Sequence, residues 1–214
     1  MRRNAEFAGS AAVRGTQHLC CAVLNTTLQK VLPDKLKNRS LPLFLLCGLL
    51  SGVLCWLGGR LLPEGSLLLK IYPGLVLGTA LCFAGVLFGL VQESWRAARF
   101  VIIVAGTVAG WRLSVDVGYQ YGEPIPYIAA GALGALTAAL GLLWPWSIRF
   151  RIAGFVSLVT VSGAFGGMVF KAIVDLFPNM HEDVWVLALF TEWQSIFMLG
   201  AWLAARRSKH EVPG

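Results

Sequence analysis

The sequence predicts an all-α, polytopic integral membrane protein: six transmembrane helices in a compact glycine-rich bundle, preceded by a cytoplasmic amphipathic helix at the membrane interface. Of its 214 residues, 57% are hydrophobic and 14% are charged, whereas about 25% of the residues of a soluble domain carry a charge. The mean hydropathy is +0.69, and the apolar residues fall in long blocks. This composition excludes a soluble enzyme, a disordered tail and a disulfide scaffold.

The chain divides into three parts. Residues 1–40 form a basic cytoplasmic segment, residues 41–205 form the transmembrane domain, and residues 206–214 form a basic cytoplasmic tail. In the first part, apolar residues recur at helical spacing and Pro33 ends the pattern; they are Leu19, Val23, Leu24, Leu28, Val31 and Leu32. This pattern predicts an amphipathic helix on the cytoplasmic leaflet. A docking helix for a cytosolic partner is the alternative.

Six segments are long enough to span the membrane, because about 20 helical residues cross a hydrocarbon core of about 30 Å. They lie at residues 42–60, 71–92, 99–118, 125–144, 152–176 and 184–205. Proline and glycine interrupt the chain between them, as at Pro63 and Gly65. Pro124 and Pro126 fit the first turn of the fourth helix, where a missing N–H has little cost. The loops are too short to contain a folded domain.

The distribution of lysine and arginine predicts that both termini are cytoplasmic, in an inner or plasma membrane. Fourteen of the 18 cations fall at the termini and at the loops after the second, fourth and sixth helices. The remaining four are Arg60, Lys70, Arg112 and Lys171. The net charge of +7 then lies mostly on the face that meets anionic lipid. The bilayer and anionic lipid at the cytoplasmic face are the expected partners, and nucleic acid is not.

Many of the 24 glycines are separated by four positions, which places two of them on one helical face. The pairs are Gly48 with Gly52, Gly74 with Gly78, Gly85 with Gly89, Gly106 with Gly110, and Gly163 with Gly167. Such small-residue faces allow helices to approach closely in a membrane. We expect them to pack the bundle internally, while association with other membrane subunits or with a second copy stays an alternative.

No pattern in the chain predicts an enzyme, a metal site or a cofactor. Zinc, nucleophile-elbow, P-loop and dinucleotide motifs are absent from the sequence. The five cysteines include no Cys-x-x-Cys pair and none lies in a predicted outer loop. We therefore expect reduced thiols that serve packing.

Each helix that runs outward ends with a cation followed four residues later by an acid. The pairs are Arg60 with Glu64, Arg112 with Asp116, and Lys171 with Asp175. Residues at this spacing share a helical face, and a cation near a helix C-terminus is favoured by the helix dipole. Three occurrences favour three related helical hairpins, although the flanking residues match weakly.

Two charges fall deep within the predicted spans. At 1.5 Å per residue, Arg112 lies about 20 Å above Arg99, and Glu192 lies about 21 Å above Arg206, so the two are level. A charge at this depth must be neutralised, paired or hydrated. We expect Glu192 to pair with Arg112 inside the bundle, and Asp116, Lys171 and Asp175 to line an outward-open polar pocket above them. The pair is either a ligand site or a structural ion pair that fixes the helix packing.

The site hypothesis predicts a protein that binds or conducts a small polar or charged solute through helices 3, 5 and 6, alone or as a transporter subunit. A non-catalytic assembly or scaffold subunit of a membrane complex is the alternative. An intramembrane enzyme that uses Glu192 as acid or base is a third hypothesis, but the sequence offers no convincing nucleophile for it.

Overall fold

The computed structural model describes residues 40–120, 125–148 and 151–209. Throughout this part of the chain the secondary structure is helical, with no strand. The helices are α1 (Ser40–Leu61), α2 (Leu67–Leu87), α3 (Arg96–Gln120), α4 (Ile125–Leu143), α5 (Ile152–Leu176) and α6 (Glu182–Lys209). The predicted amphipathic helix and residues 210–214 of the predicted tail lie outside the described residues.

All six helices are long and apolar enough to cross a membrane. The prediction of six such helices is therefore confirmed, and most predicted ends lie within a few residues of the observed ones. These properties define a candidate multi-pass membrane protein.

The second helix begins and ends four or five residues earlier than the predicted 71–92. Its start is set by Ser66, whose hydroxyl accepts a hydrogen bond of 3.1 Å from the Leu69 N–H. Its end is a Schellman motif, in which the Leu90 N–H donates to the Gly85 carbonyl and Gly89 adopts a φ of +61°. Hydropathy alone missed both ends because the flanking residues are also apolar.

The helices form a closed ring in chain order, with α6 packed against both α5 and α1. A Cβ added to Gly48 would lie 2.7 Å from the Ser195 Cα, and one added to Gly52 would lie 2.5 Å from the Thr191 Cα. Four residues forward in α1 thus correspond to four residues backward in α6, so the two helices are antiparallel. Neither glycine has space for a side chain.

The same antiparallel relation holds around the ring. A Cβ on Gly74 of α2 would lie 2.5 Å from the Val108 Cα of α3, and one on Gly110 of α3 would lie 2.6 Å from the Gly134 carbonyl oxygen of α4. Between α4 and α5, a Cβ on Gly131 would lie 2.3 Å from the Gly163 carbonyl oxygen. Most of these contacts join backbones, so the space cannot be made by turning a side chain.

A single apolar cluster fills the interior. Its largest fully buried apolar side chains include Phe44, Leu81, Ile103, Phe155 and Phe197. Large apolar side chains also cover the outside of the ring, as at Phe83, Val101 and Val161. Apolar residues on both the inside and the outside are typical of helices surrounded by lipid.

Arg99 joins the start of α3 to the end of α4 and is only 5% exposed. Its guanidinium donates to the carbonyls of Trp144 (2.9 Å) and Pro145 (2.8 Å), to the Gln92 carboxamide oxygen (3.0 Å) and, through Nε, to the Ser94 carbonyl (3.0 Å). Carbonyls at a helix C-terminus carry the negative end of the helix dipole, which favours a cation there. Arg99 is thus buried within the protein.

Candidate functional site

The acid–cation pairs that the sequence placed at one end of the bundle are formed in two of the three cases. Arg112 donates to Asp116 across 3.2 Å, and Lys171 bonds Asp175 one turn further along α5. The third prediction is wrong: Arg60 pairs with Asp183 at the start of α6 instead of with Glu64. The pair ties the two helices that close the ring. We call this end, where α1, α3 and α5 finish, the paired-charge end.

The expected contact between Arg112 and Glu192 is not formed. Arg112 bonds Asp116, while both carboxylate oxygens of Glu192 are buried and have no hydrogen-bond partner among the described residues. Arg112 and Glu192 lie at a similar depth in the bundle, but the rotation of their helices about the helix axes keeps their side chains apart. Gln194 lies on the cavity side of α6, and Glu192, two residues away, is rotated by about 200° from it.

The centre of the bundle instead contains a chain of uncharged polar groups that begins at Ser51. The Ser51 hydroxyl donates to the carboxamide oxygen of Gln194 and also lies 2.9 Å from the Gly48 carbonyl oxygen. The Gln194 Nε2 donates to the Cys55 Sγ across 3.2 Å, and the Cys55 thiol lies 3.8 Å from the Pro73 carbonyl oxygen. All three side chains are almost wholly buried. These hydrogen bonds link α1, α6 and α2 near the middle of the bundle.

Thr107 extends the polar centre to α3. Its hydroxyl, 2% exposed, lies 2.8 Å from the Gly74 carbonyl oxygen of α2 and within 3.1 Å of two carbonyl oxygens of its own helix. The hydroxyl has one proton and three acceptors around it, so its donor capacity is used in every rotamer. Its oxygen keeps free acceptor capacity.

Pro73 lies beside these groups, inside α2. Proline has no N–H, so the helix loses one backbone hydrogen bond at that turn. The ring and Gly74 after it remain buried between α1, α3 and the cavity. The helix nevertheless continues through Pro73 from Leu67 to Leu87, so the missing hydrogen bond lies within a continuous helix beside the buried polar groups.

A small cavity lies against these polar groups, between α2, α3, α4 and α6. It has room for about one water molecule. Thr107 and Gln194 supply its polar side chains; Leu77 and Ala138 supply part of its apolar wall. No charged residue lines it among the described residues.

Two aromatic rings close the cavity towards the paired-charge end. Trp111 and Phe190 each lie one turn beyond Thr107 and Gln194 in that direction, with ring centroids 5.4 Å apart. The Trp111 indole N–H donates to the Lys70 carbonyl across 3.1 Å, which holds the ring against α2. We call Trp111 and Phe190 the aromatic lid.

A third aromatic residue, Trp193, also lines the cavity. Its indole N–H donates to the Gly163 carbonyl of α5 across 3.2 Å, and its ring stacks on Phe197 with centroids 5.6 Å apart. These two contacts hold the Trp193 ring in place as part of the cavity wall.

Sequence reasoning missed this polar centre because it considered only formal charge. Gln194, Thr107 and Ser51 were visible as polar residues within apolar helices, and Pro73 as a proline within a span. Such residues are expensive in a bilayer core, and they are as informative there as a charge. Among the described residues, no group of three His, Cys, Asp or Glu side chains is placed to hold a metal ion.

The described residues define a protein with six candidate membrane-spanning helices around a buried, uncharged polar centre. Comparison with family models, with curated proteins and with solved structures found no match to this chain.

Proposed function

We propose that this protein binds or conducts a small, neutral polar solute at the buried polar centre, acting alone or as a transporter subunit. The cavity between Thr107 and Gln194 is the observation that carries the proposal. A void lined only by apolar groups stays dry, whereas a void with polar groups on its wall takes up water or a solute that resembles it.

The hydrogen-bonding capacity left at the cavity supports a neutral solute over an ion. One N–H of Gln194 is free after its bond to Cys55, and the Thr107 hydroxyl oxygen can still accept. A molecule that carries both a donor and an acceptor satisfies these groups. An ion transferred there would find no opposite charge on the lining residues, at a large desolvation cost.

In this proposal, the residues that the sequence predicted as the site do not line the cavity. Arg112, Asp116, Lys171 and Asp175 form intrahelical pairs at the paired-charge end, where Asp116 and Asp175 are exposed. They would make a polar rim above the aromatic lid, and the lid must open for a solute to pass. We further propose that the helices insert with both termini cytoplasmic and that close glycine contacts hold the bundle together.

The test is solute permeability in liposomes that contain the purified protein. Stopped-flow light scattering would follow water, urea and glycerol after an osmotic step. Thr107→Val removes the hydroxyl at the cavity and keeps the shape of the side chain. Gln194→Leu removes the carboxamide. We expect either variant to lower the protein-dependent permeability by about tenfold, the factor that corresponds to one lost hydrogen bond of about 1.4 kcal/mol.

Thr79→Val is the matched control, because Thr79 is exposed on the same bundle and its hydroxyl bonds only the Leu75 carbonyl of its own turn. It should leave the permeability unchanged. Wild-type liposomes that are no more permeable than empty ones to all three solutes would contradict the proposal.

A scaffold or assembly subunit is the second candidate function. The unpartnered carboxyl of Glu192, on the side of α6 away from the cavity, favours it.

A further inference from the structure

The polar centre is covered very differently on its two sides along the bundle. Towards the paired-charge end, every residue of α6 from 182 to 193 is at least partly exposed, and so are residues 67–72 of α2 and 111–117 of α3. The loose packing is confined to these helices, because α5 stays packed as far as Phe170 and Val174, which are buried. On this side the aromatic lid is therefore a cover about one helical turn thick.

Towards the other end, the interior is filled by a continuous apolar core. On α6, buried residues recur from Phe197 to Ala205, a length of about 12 Å at 1.5 Å per residue. We call the large buried side chains on this side the apolar plug: Phe44, Leu81, Ile103, Trp146, Phe155 and Phe197. Each of them is 3% exposed or less. The plug is thus about twice as thick as the lid.

Aromatic rings hold the apolar plug together across the bundle. The Phe44 ring of α1 meets Trp146, just after α4, edge to face with centroids 6.4 Å apart. Trp146 meets the Phe155 ring of α5 in the same way and at the same distance. Edge-to-face contacts of this kind are favourable, and a packed interior leaves few voids that could admit water. The plug therefore separates the polar centre from the end at which α1 begins.

We infer that a solute reaches the polar centre only from the paired-charge end, and that the apolar plug is the barrier to its passage towards the other end; this inference rests on the proposed function. To enter through the lid, a solute displaces two rings, and one hydrogen bond holds Trp111 to α2. To leave through the plug, a polar molecule must give up its hydrogen bonds in an apolar passage. Ile103 begins that passage, one turn from Thr107.

Cysteine labelling in nanodiscs tests the direction of access, because a nanodisc leaves both ends of the bundle in water. In a full-length variant without its five native cysteines, Trp111→Cys and Ile103→Cys place thiols one turn to either side of Thr107. A charged methanethiosulfonate reagent converts each thiol to a mixed disulfide, which is detected as added mass. We expect Trp111→Cys to react about tenfold faster than Ile103→Cys, because an apolar passage excludes a charged reagent. Equal rates, or a faster reaction of Ile103→Cys, would overturn the inference.

Solute permeability in liposomes tests the barrier itself. Ile103→Ala opens space in the plug beside the polar centre, and Ile102→Ala is its matched control, because Ile102 is exposed on the same helix. We expect Ile103→Ala to raise the protein-dependent water permeability about tenfold, as a lower barrier requires, and Ile102→Ala to leave it unchanged. Leu81→Ala tests the same barrier from α2, and thermal unfolding checks that each variant is folded. Phe190→Ala, which thins the lid, should raise the permeability by a smaller factor.

The two experiments separate this inference from the proposed function. Unchanged permeability in folded Ile103→Ala and Leu81→Ala, or a larger rise in Phe190→Ala, would overturn the barrier. Wild-type liposomes that are no more permeable than empty ones would contradict the proposed function, whatever the labelling shows. Permeable wild-type liposomes with equal labelling on both sides of Thr107 would overturn the inference alone.

Discussion

At the scale of single residues, Gln194 and Glu192 show how two polar side chains on one helix come to differ in role. Gln194 is 1% exposed and bonded to Ser51 and Cys55, whereas Glu192 has no bonding partner among the described residues. An amide can be satisfied by a hydroxyl and a thiol, but a carboxylate at the same depth must be protonated, paired with a cation or hydrated. The two side chains thus differ in their partners and not in burial, because the carboxylate oxygens of Glu192 are buried too.

Double-mutant cycles should separate these two cases. We expect Ser51→Ala and Gln194→Leu to be non-additive in unfolding free energy by about 1 kcal/mol, because each removes the same buried hydrogen bond. Arg112→Leu and Glu192→Gln should be additive, because no bond joins them. Thermal unfolding in detergent, followed by tryptophan fluorescence, measures both cycles. Strong non-additivity between Arg112→Leu and Glu192→Gln would contradict this expectation and support the ion pair that the sequence predicted.

At the scale of helices, close backbone approach decides which residues each interface accepts. The α1–α6 interface is the clearest case, since Gly48 and Gly52 both face backbone atoms of α6. A glycine in a helix costs about 1 kcal/mol relative to alanine in propensity alone. Glycine at positions 48 and 52 is therefore favourable only because a larger residue would not fit between the two backbones.

Two glycines of α1 provide a matched comparison. In Gly52→Ala the new Cβ would lie 2.5 Å from the Thr191 Cα, whereas in Gly59→Ala nothing lies within 4 Å of it. We expect Gly52→Ala to destabilise the bundle by about 1–3 kcal/mol through backbone separation. Gly59→Ala should be neutral or slightly stabilising. Urea or thermal unfolding of both variants measures the difference; equal stabilities would show that α1 and α6 adjust without cost.

At the scale of the whole molecule, the six helices of the described residues form a ring in which each helix packs mainly against two others, and the ring closes at α1 and α6. An even number of antiparallel helices places the start of α1 and the end of α6 at the same end of the bundle. The Arg60–Asp183 pair reinforces this closure at the paired-charge end. The arrangement surrounds the polar centre with apolar helices and leaves the aromatic lid as its cover on one side.

Cysteine labelling tests the proposed orientation of this ring. In a variant with its five cysteines replaced, Glu64→Cys lies in the α1–α2 loop and Ser94→Cys lies in the α2–α3 loop; both positions are exposed. By the distribution of cations, a membrane-impermeant maleimide should label the first in intact cells and the second only after lysis. The reverse result would invert the topology, and labelling of both in intact cells would contradict a membrane-spanning α2.

The helical class and the number of helices followed from the chain alone, because a stretch of about 20 apolar residues has few alternatives to a helix that buries its backbone hydrogen bonds. The Arg112–Asp116 and Lys171–Asp175 pairs followed for the same local reason, since a spacing of four places them on one face. The ends of α2 were less predictable, because Ser66 and Gly89 act through hydrogen bonds within apolar surroundings.

Only the tertiary structure decided which residues meet across helices. Depth along a helix can be counted from the sequence, but the rotation of one helix relative to its neighbours depends on packing with all of them. Arg112 and Glu192 match in depth and do not bond each other, whereas Ser51 and Gln194, 143 positions apart in the chain, share a hydrogen bond. The polar centre arises from that rotation, which hydropathy does not specify.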